Sequence, residues 1–208
     1  MEPLQTKEEE KLNTLTHGLG AIAALVGVII LSFNYDRNTI GIAPILVYGV
    51  SLVFLFSAST VYHYISEVRL KRKFRILDHI SIYFLIAGTY TPICLSALKE
   101  SEGINILIAV WTITAIGLIL KLFFTGKFEK ISLLLYLIMG WLIVLDYSTF
   151  VDYVTSTANT YLILGGAFYT FGVVFYVLRK LKYHHVIWHV FVLLGALFHY
   201  LMTFEILS

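Results

Sequence analysis

Two histidines four residues apart are the most chemically informative pair in the sequence. His185 and His189 lie in an apolar segment near the C-terminus, and a helix would place them on one face, one turn apart. Two imidazoles at that spacing can bind one metal ion. The alternative is a pair of histidines near a membrane surface, each hydrogen-bonded to a neighbouring group, and the spacing alone leaves both interpretations open.

Two further segments carry polar side chains that could join such a site. Ser59 and His63 are also four residues apart and would share a helix face, although packing or contact with the polar surface also explains a lone histidine. Asp78 could be a metal ligand, a partner of a ligating histidine or a base. It could also be a carboxylate that the macrodipole of a helix N-terminus stabilises.

The composition decides what kind of protein must position these residues. Of the 208 residues, 59% are hydrophobic and 13% are charged, and the mean hydropathy is +0.84. Soluble domains carry about 25% charged residues, so a soluble monomer, a disordered chain and a nucleic-acid-binding domain are excluded. The single cysteine excludes a disulfide framework and a cysteine-based zinc module. A multi-pass membrane protein remains.

Seven apolar stretches are long enough to cross a bilayer, which takes about 20 mostly apolar residues each. The sequence therefore predicts an all-α membrane protein that forms one domain over residues 1–208, with a short cytoplasmic tail over about residues 1–15. Short polar segments separate the predicted spans, which are Thr16–Phe33, Ile42–Ile65, Ile76–Ala97, Ile104–Phe124, Ile131–Phe150, Thr160–Leu178 and His184–Phe204.

The positively charged residues fall almost entirely on one side of this arrangement. Of the 15 Lys and Arg residues, all but Arg37 and Lys99 lie on the side of the membrane that holds the N-terminus. They occupy the N-terminal tail, the second, fourth and sixth loops, and the span ends that adjoin these loops. Because Lys and Arg concentrate in cytoplasmic loops, we predict a cytoplasmic N-terminus and a C-terminus outside. The expected location is the plasma membrane, which would be the inner membrane of a bacterium.

This topology brings the polar candidates to one depth. His63, Asp78, His185 and His189 each lie roughly 5–10 Å from the basic inner edge of the membrane, at about 1.5 Å per helical residue. Three neutral imidazoles with oxygen-bearing neighbours suit zinc, and three protein ligands leave a position for water. Such a water has a pKa of about 7, and Asp78 and Ser59 would orient it or move its proton. We predict zinc on the three histidines.

The sequence leaves open which residues support the three histidines and whether another histidine joins them. A ligating histidine needs a partner for its second ring nitrogen, for which Asp78 or Tyr62 is available. His17 begins the first span at the right depth and could support the site or act as a fourth ligand. His199 lies about 21 Å further along its helix than His185, so it cannot share the ion.

These motifs together resemble the haemolysin III branch of the progestin and adipoQ receptor family. The resemblance implies a seven-helix fold with a cytoplasmic N-terminus, as in the adiponectin receptors, and zinc held by three histidines beside an aspartate and a serine. Similarity to alkaline ceramidases implies hydrolysis of a lipid amide or ester, and bacterial members imply a link to membrane lipid homeostasis. The matching residues are Asn13…Thr16-His17-Gly18, Ser59-x-x-x-His63, Asp78-His79, Ala87-Gly88-Thr89-Tyr90-Thr91-Pro92 and His185-x-x-x-His189.

Several functions stay open at this point. The first is a zinc hydrolase whose catalytic groups are Asp78 and Ser59 and whose lipid substrate enters from the bilayer. The second is a receptor-like sensor of the membrane state in which zinc is structural, and the third is a haemolysin that damages other membranes. A transporter ranks last, because the polar residues gather at one end of the helices. No nucleic-acid partner is expected, and a soluble protein partner is left open by the sequence.

The charge distribution predicts which loops can be labelled from outside. In a Cys94→Ser background, Asn38→Cys should react with a membrane-impermeant maleimide added to intact cells, because the first loop is predicted to lie outside. Lys180→Cys should react only after the membrane is permeabilised. The opposite labelling pattern would contradict the predicted orientation.

Overall fold

The computed structural model describes residues 5–208, and helices dominate that range. No β-strand occurs within it, so the predicted all-α class is confirmed. A 3-10 helix, Leu142–Asp146, lies between α5 and α6. The α-helices, in chain order, are α1 (Lys7–Asn34), α2 (Ile42–Tyr64), α3 (Val68–Leu95), α4 (Gly103–Phe124), α5 (Glu129–Gly140), α6 (Tyr147–Tyr153), α7 (Ser156–Val177) and α8 (His184–Leu207).

Six helical stretches of the described chain are long and apolar enough to cross a membrane. They are α1, α2, α4, the stretch Glu129–Tyr153 that contains α5 and α6, α7 and α8. α3 is not among them, since it carries the basic run Arg69–Arg75 and several further polar side chains. The predicted multi-pass architecture is therefore supported by six stretches, and a seventh crossing through α3 stays a prediction.

α1 begins well before the predicted start at Thr16 because its first turn is capped. The backbone N–H of Thr6 donates to Glu9 Oε2 at 2.7 Å, and the N–H of Glu9 donates to Thr6 Oγ1 at 3.2 Å. This reciprocal capping box satisfies two backbone donors that a helix start otherwise leaves unpaired. The predicted tail is therefore helical from Lys7 onward.

α3 also extends further than expected. The basic stretch Arg69–Arg75, which we predicted as a loop, forms the first turns of this helix. Its start is capped by Glu67, whose carboxylate accepts hydrogen bonds from the N–H groups of Arg69 and Leu70 at 2.8 and 2.7 Å. Only a short turn therefore separates α2 from α3, and this turn brings the end of α2 close to the first turns of α3.

The predicted fifth span, Ile131–Phe150, is not one continuous helix. α5 ends at Gly140, and the 3-10 helix precedes α6. The hydroxyl of Tyr90 in α3 donates to the carbonyl of Gly140 at 3.1 Å and accepts from the N–H of Ile143 at 2.9 Å. One phenol thus satisfies two backbone groups at the break.

Asp146, for which the sequence suggested only a polar contact, joins this break to α4. Its Oδ2 accepts hydrogen bonds from the Ser101 hydroxyl at 2.5 Å and from the Glu102 N–H at 3.0 Å. Asp146 therefore fixes the 3-10 segment against the start of the neighbouring helix.

The helices pack in an order that places α2 and α8 on either side of α1. The closest pairs are α7 with α8, α1 with α2 and α2 with α3, whereas α5 packs mainly on α3 and α4. One buried cluster joins α3, α4 and α5 around Tyr83 and Val110, and another joins α1, α2 and α8 around Tyr48 and Val192. Many large apolar side chains point outward, as expected for helices surrounded by lipid.

Two adjacent glycines in α7 provide a matched test of this packing. A methyl group at Gly165 would overlap the imidazole of His199 in α8, whereas one at Gly166 would meet no atom within 4 Å. Overpacking costs about 1–3 kcal/mol, and alanine is favoured over glycine in a helix by about 1 kcal/mol. We expect Gly165→Ala to lower the thermal unfolding midpoint of the solubilised protein, and Gly166→Ala to preserve or raise it. Equal midpoints would contradict the close approach at His199.

Candidate metal centre

Three imidazoles from two helices form the candidate site. His63 lies in the last turn of α2, and His185 and His189 lie in the first turns of α8. The ring centroids are 5.2 Å apart for His63 and His185, 4.9 Å for His63 and His189, and 4.7 Å for His185 and His189. One ligand atom from each residue lies within 4.8 Å of the others. These histidines are therefore close enough to hold one metal ion.

Charged side chains fix the two helix ends that carry these histidines. Lys71 Nζ donates to the carbonyls of Tyr62 and Ile65, at 2.9 and 3.2 Å, where α2 ends. At the start of α8, the N–H of Tyr183 donates to Glu9 Oε1 at 2.8 Å. Cations stabilise helix C-termini, so the end of α2 and its histidine are held in place by the first turn of α3.

The partner of His63 is Glu10, from α1. His63 Nδ1 donates to Glu10 Oε2 at 2.7 Å, whereas from the sequence we named only Asp78 and Tyr62 as partners for a ligating histidine. The other nitrogen, Nε2, is buried and has no hydrogen-bond partner in the described part of the chain. The geometry therefore leaves Nε2 of His63 as the atom available to a metal.

His189 is held by α1 as well. Its Nδ1 lies 3.3 Å from Thr16 Oγ1, and the Thr16 hydroxyl can donate to the carbonyl of Leu12 at 2.9 Å. The hydroxyl oxygen is then free to accept from Nδ1–H. This arrangement leaves Nε2 of His189 as the available ligand atom.

His17 stacks on His189 and does not join the three histidines. The two rings are 3.5 Å apart between centroids and are inclined by 8°. The lone pair of an imidazole nitrogen lies in the plane of the ring, so an ion in the plane of His189 lies outside the plane of His17. The arrangement therefore disfavours His17 as a fourth ligand, although its ring reaches the same cavity.

The helix face that carries Glu10 could have been recognised from the sequence. Glu10, Asn13 and His17 recur at intervals of three and four residues, which places them on one side of a helix. The structure buries Asn13 and His17 and leaves all of their side-chain nitrogen and oxygen atoms without hydrogen-bond partners. A polar stripe in an apolar bundle marks the side of α1 that faces the site.

A cavity of about 140 Å³ lies beside two of the three histidines. His185 and His189 line it, together with the predicted catalytic residues Ser59 and Asp78. The same cavity reaches Tyr90, which lies about 18 Å beyond Asp78 along α3 at about 1.5 Å per residue. Its walls between these points are mostly apolar, and include Leu55, Ile82, Leu85, Val173 and Val192. The structure therefore places four of the predicted residues on the lining of one elongated pocket, and their roles in metal binding and catalysis stay predictions.

A second ionic cluster borders this cavity and was not predicted. Lys121 Nζ donates to Glu129 Oε2 at 2.7 Å, and the Lys121 side chain is only 2% exposed. Arg75 and His79, both in α3, lie 3.5 Å from the same carboxylate. The cluster ties the end of α4 and the start of α5 to α3. A lysine within an apolar helix requires a paired charge. Lys121 was therefore the residue from which the sequence could have predicted an ionic cluster.

Comparison with known proteins identifies the family of this chain. Residues 5–200 match the family model described as Haemolysin-III related. Hemolysin-3 of Bacillus cereus is 40% identical over 194 residues, which cover 92% of this chain and 89% of that protein. The Hemolysin-3 homolog of Bacillus subtilis (strain 168) is 39% identical over 194 residues, with 92% and 91% covered.

A mammalian protein is also similar. Monocyte to macrophage differentiation factor of Homo sapiens is 31% identical over 202 residues, which cover 92% of this chain and 82% of that protein. The family resemblance carried by the sequence motifs is thereby confirmed. The chain is a multi-pass membrane protein and belongs to the Haemolysin-III related family.

Proposed function

We propose that the protein is a zinc-dependent membrane hydrolase that cleaves an amide or ester bond of a lipid. The observation that carries this proposal is a cluster of three imidazoles, two of which line one cavity together with Asp78 and Ser59, while the remaining walls are mostly apolar. The pocket thus combines a few polar side chains with apolar walls that suit a long apolar chain. This combination matches a substrate with one hydrolysable polar group.

The three histidines fit zinc by their chemistry and by their surroundings. Zinc takes neutral imidazole nitrogens at about 2.0–2.1 Å in a tetrahedron, so the nitrogens must lie about 3.4 Å apart. The present ligand atoms lie within 4.8 Å of one another, so binding would draw the rings slightly inward. The buried Nε2 of His63, which has no hydrogen-bond partner among residues 5–208, would gain one in the metal.

The side chains of the cavity then have distinct tasks. Zinc, when bound, would act as a Lewis acid that polarises a carbonyl group and lowers the pKa of water to about 7. A carboxylate oxygen of Asp78 accepts the proton of the attacking water and delivers it to the leaving amine or alcohol. Ser59, which lies beside Asp78 on the cavity wall, orients that carboxylate. The apolar walls exclude competing water from the reacting bond.

The lipid substrate enters from the bilayer between α5 and α7. Gly140 and Gly166 line the cavity on this side, and a methyl group built on either would meet no atom within 4 Å. The indole N–H of Trp141, the residue that follows α5, donates to Thr170 Oγ1 of α7 at 3.2 Å. A weakly packed seam of this kind admits a lipid chain more readily than the tightly packed α7–α8 pair.

The proposed topology has seven crossings, with α3 as the third. α3 packs against both α2 and α4, which are themselves long and apolar enough to span the membrane. The asymmetric distribution of Lys and Arg supports a cytoplasmic N-terminus and a C-terminus outside. The metal centre then lies near the cytoplasmic surface of the membrane.

A structural role for zinc is the second candidate. The three histidines link α2 to α8, and Glu10 and Thr16 extend this link to α1. Zinc that only tied these helices together would stabilise the fold without any turnover. A sensor of the membrane state could be built on such a bundle.

Metal content gives the first prediction of the proposal. The purified protein should contain about one zinc ion per chain, and His185→Ala should remove most of it by deleting one ligand. His184→Ala is the matched control, because the neighbouring ring is turned toward α7, where its Nδ1 lies 3.1 Å from the carbonyl of Phe175. Metal-free unaltered protein, or equal losses in both variants, would contradict the ligand set.

Turnover separates the two candidate functions. In liposomes that contain a panel of lipid amides and esters, Asp78→Asn should slow hydrolysis by about 10²–10⁴-fold, because the amide cannot accept the proton. Zinc content should stay unchanged, and the exposed, distant Asp152→Asn should keep full activity. Zinc-loaded protein that hydrolyses none of these lipids and unfolds when zinc is removed would favour the structural role instead.

A further inference from the structure

The start of α1 supplies none of the three histidines, yet it contacts both helices that do. Glu10 Oε2 lies 2.7 Å from His63 Nδ1 at the end of α2. The adjacent Glu9 accepts a hydrogen bond from the N–H of Tyr183, the residue that precedes α8. Neighbouring carboxylates on one turn thus reach the two ligand-bearing helix ends.

We propose that Glu10 is a positioning residue of the metal centre. It holds the His63 ring with its hydrogen on Nδ1 and its free lone pair on Nε2, and it thereby raises the affinity of the site for zinc. The inference rests on the proposed function for the presence of zinc, but it assigns a role to a residue outside the ligand set.

The hydrogen-bond pattern favours this tautomer of His63. With the hydrogen on Nδ1, the imidazole donates to the Glu10 carboxylate and presents a bare acceptor at the buried Nε2. The other tautomer would bury an N–H group without an acceptor and would turn a lone pair toward a carboxylate. A buried unpaired donor costs about 1–3 kcal/mol, so Glu10 selects the form that can bind a cation.

The carboxylate of Glu10 is itself held from a second side. Its Oε1 lies 3.0 Å from Lys71 Nζ, while its Oε2 contacts His63. Lys71 is in turn fixed by the two carbonyls at the end of α2. Each oxygen therefore has its own cationic or N–H donor, and the carboxylate has little freedom to leave His63. Carboxylates that hold a ligating histidine in this way also make its free nitrogen more basic.

Glu9 sets the position of the other ligand helix. Its Oε1 accepts from the N–H of Tyr183 at 2.8 Å, and its Oε2 accepts from the N–H of Thr6 at 2.7 Å. Tyr183 has a positive φ of 60°, which is uncommon for a residue other than glycine. The contact therefore stabilises the chain reversal from which His185 and His189 follow.

The test compares zinc affinities of glutamate variants on this one turn. Dissociation constants would be measured by competition with a chromophoric chelator, on full-length protein in lipid nanodiscs. Glu10→Gln should bind zinc about 10–100-fold more weakly, the usual effect of removing such a partner. Glu10→Asp, which keeps the charge, should recover part of the loss. Glu8→Gln removes the same charge from an exposed position, and glutamine can still accept the 3.3 Å hydrogen bond from the Tyr183 hydroxyl, so this variant should leave the affinity unchanged.

A second measurement excludes a purely structural effect. The metal-free unfolding midpoint of Glu10→Gln should stay close to that of the metal-free unaltered protein, because glutamine keeps the size of the side chain and an acceptor for Lys71. An unchanged dissociation constant, or an affinity loss that merely follows a loss of fold, would overturn the role of Glu10 while the zinc site itself stands. Unaltered protein that binds no zinc would overturn the proposed function together with this inference.

Discussion

Hydrocarbon offers no hydrogen bonds, so every polar group between the two membrane surfaces must find its partner inside the protein. In this bundle the polar groups are collected in a few places instead of being spread along the helices. The three histidines share one region with Glu10 and Lys71. The Lys121–Glu129 pair holds the other large group of charges, and Glu129 lines the same cavity. Both groups draw their members from helices that are distant in sequence.

Helix ends explain how these groups meet. The capping box at Thr6 extends α1 beyond the apolar stretch, and Glu67 extends α3 in the same direction. The extensions carry the carboxylate and the ammonium group that reach the end of α2. The contacts that hold His63 and the end of α2 thus depend on ordinary capping interactions several residues away. The cavity then links this polar end of the bundle to its apolar interior.

The sequence predicted the parts of this structure that follow from apolar length and from helical periodicity. It identified the apolar stretches, and it predicted that the three histidines and Asp78 lie at one depth. It did not identify Glu10 as the partner of His63, because that choice depends on how α1 packs against α2. The break after Gly140 was also missed, since the stretch is apolar throughout and the hydroxyl that stabilises the break comes from Tyr90 in another helix.

That break has a mechanical consequence. A continuous helix behaves as a stiff rod, whereas the stretch from Glu129 to Tyr153 is two short segments joined by a tighter 3-10 turn. Each segment is therefore anchored separately, because Asp146 of the 3-10 helix bonds to the residues that precede α4, whereas Glu129 holds the start of α5 against α3 and the end of α4. The direction of α5, which borders the cavity, is thereby independent of the direction of α6.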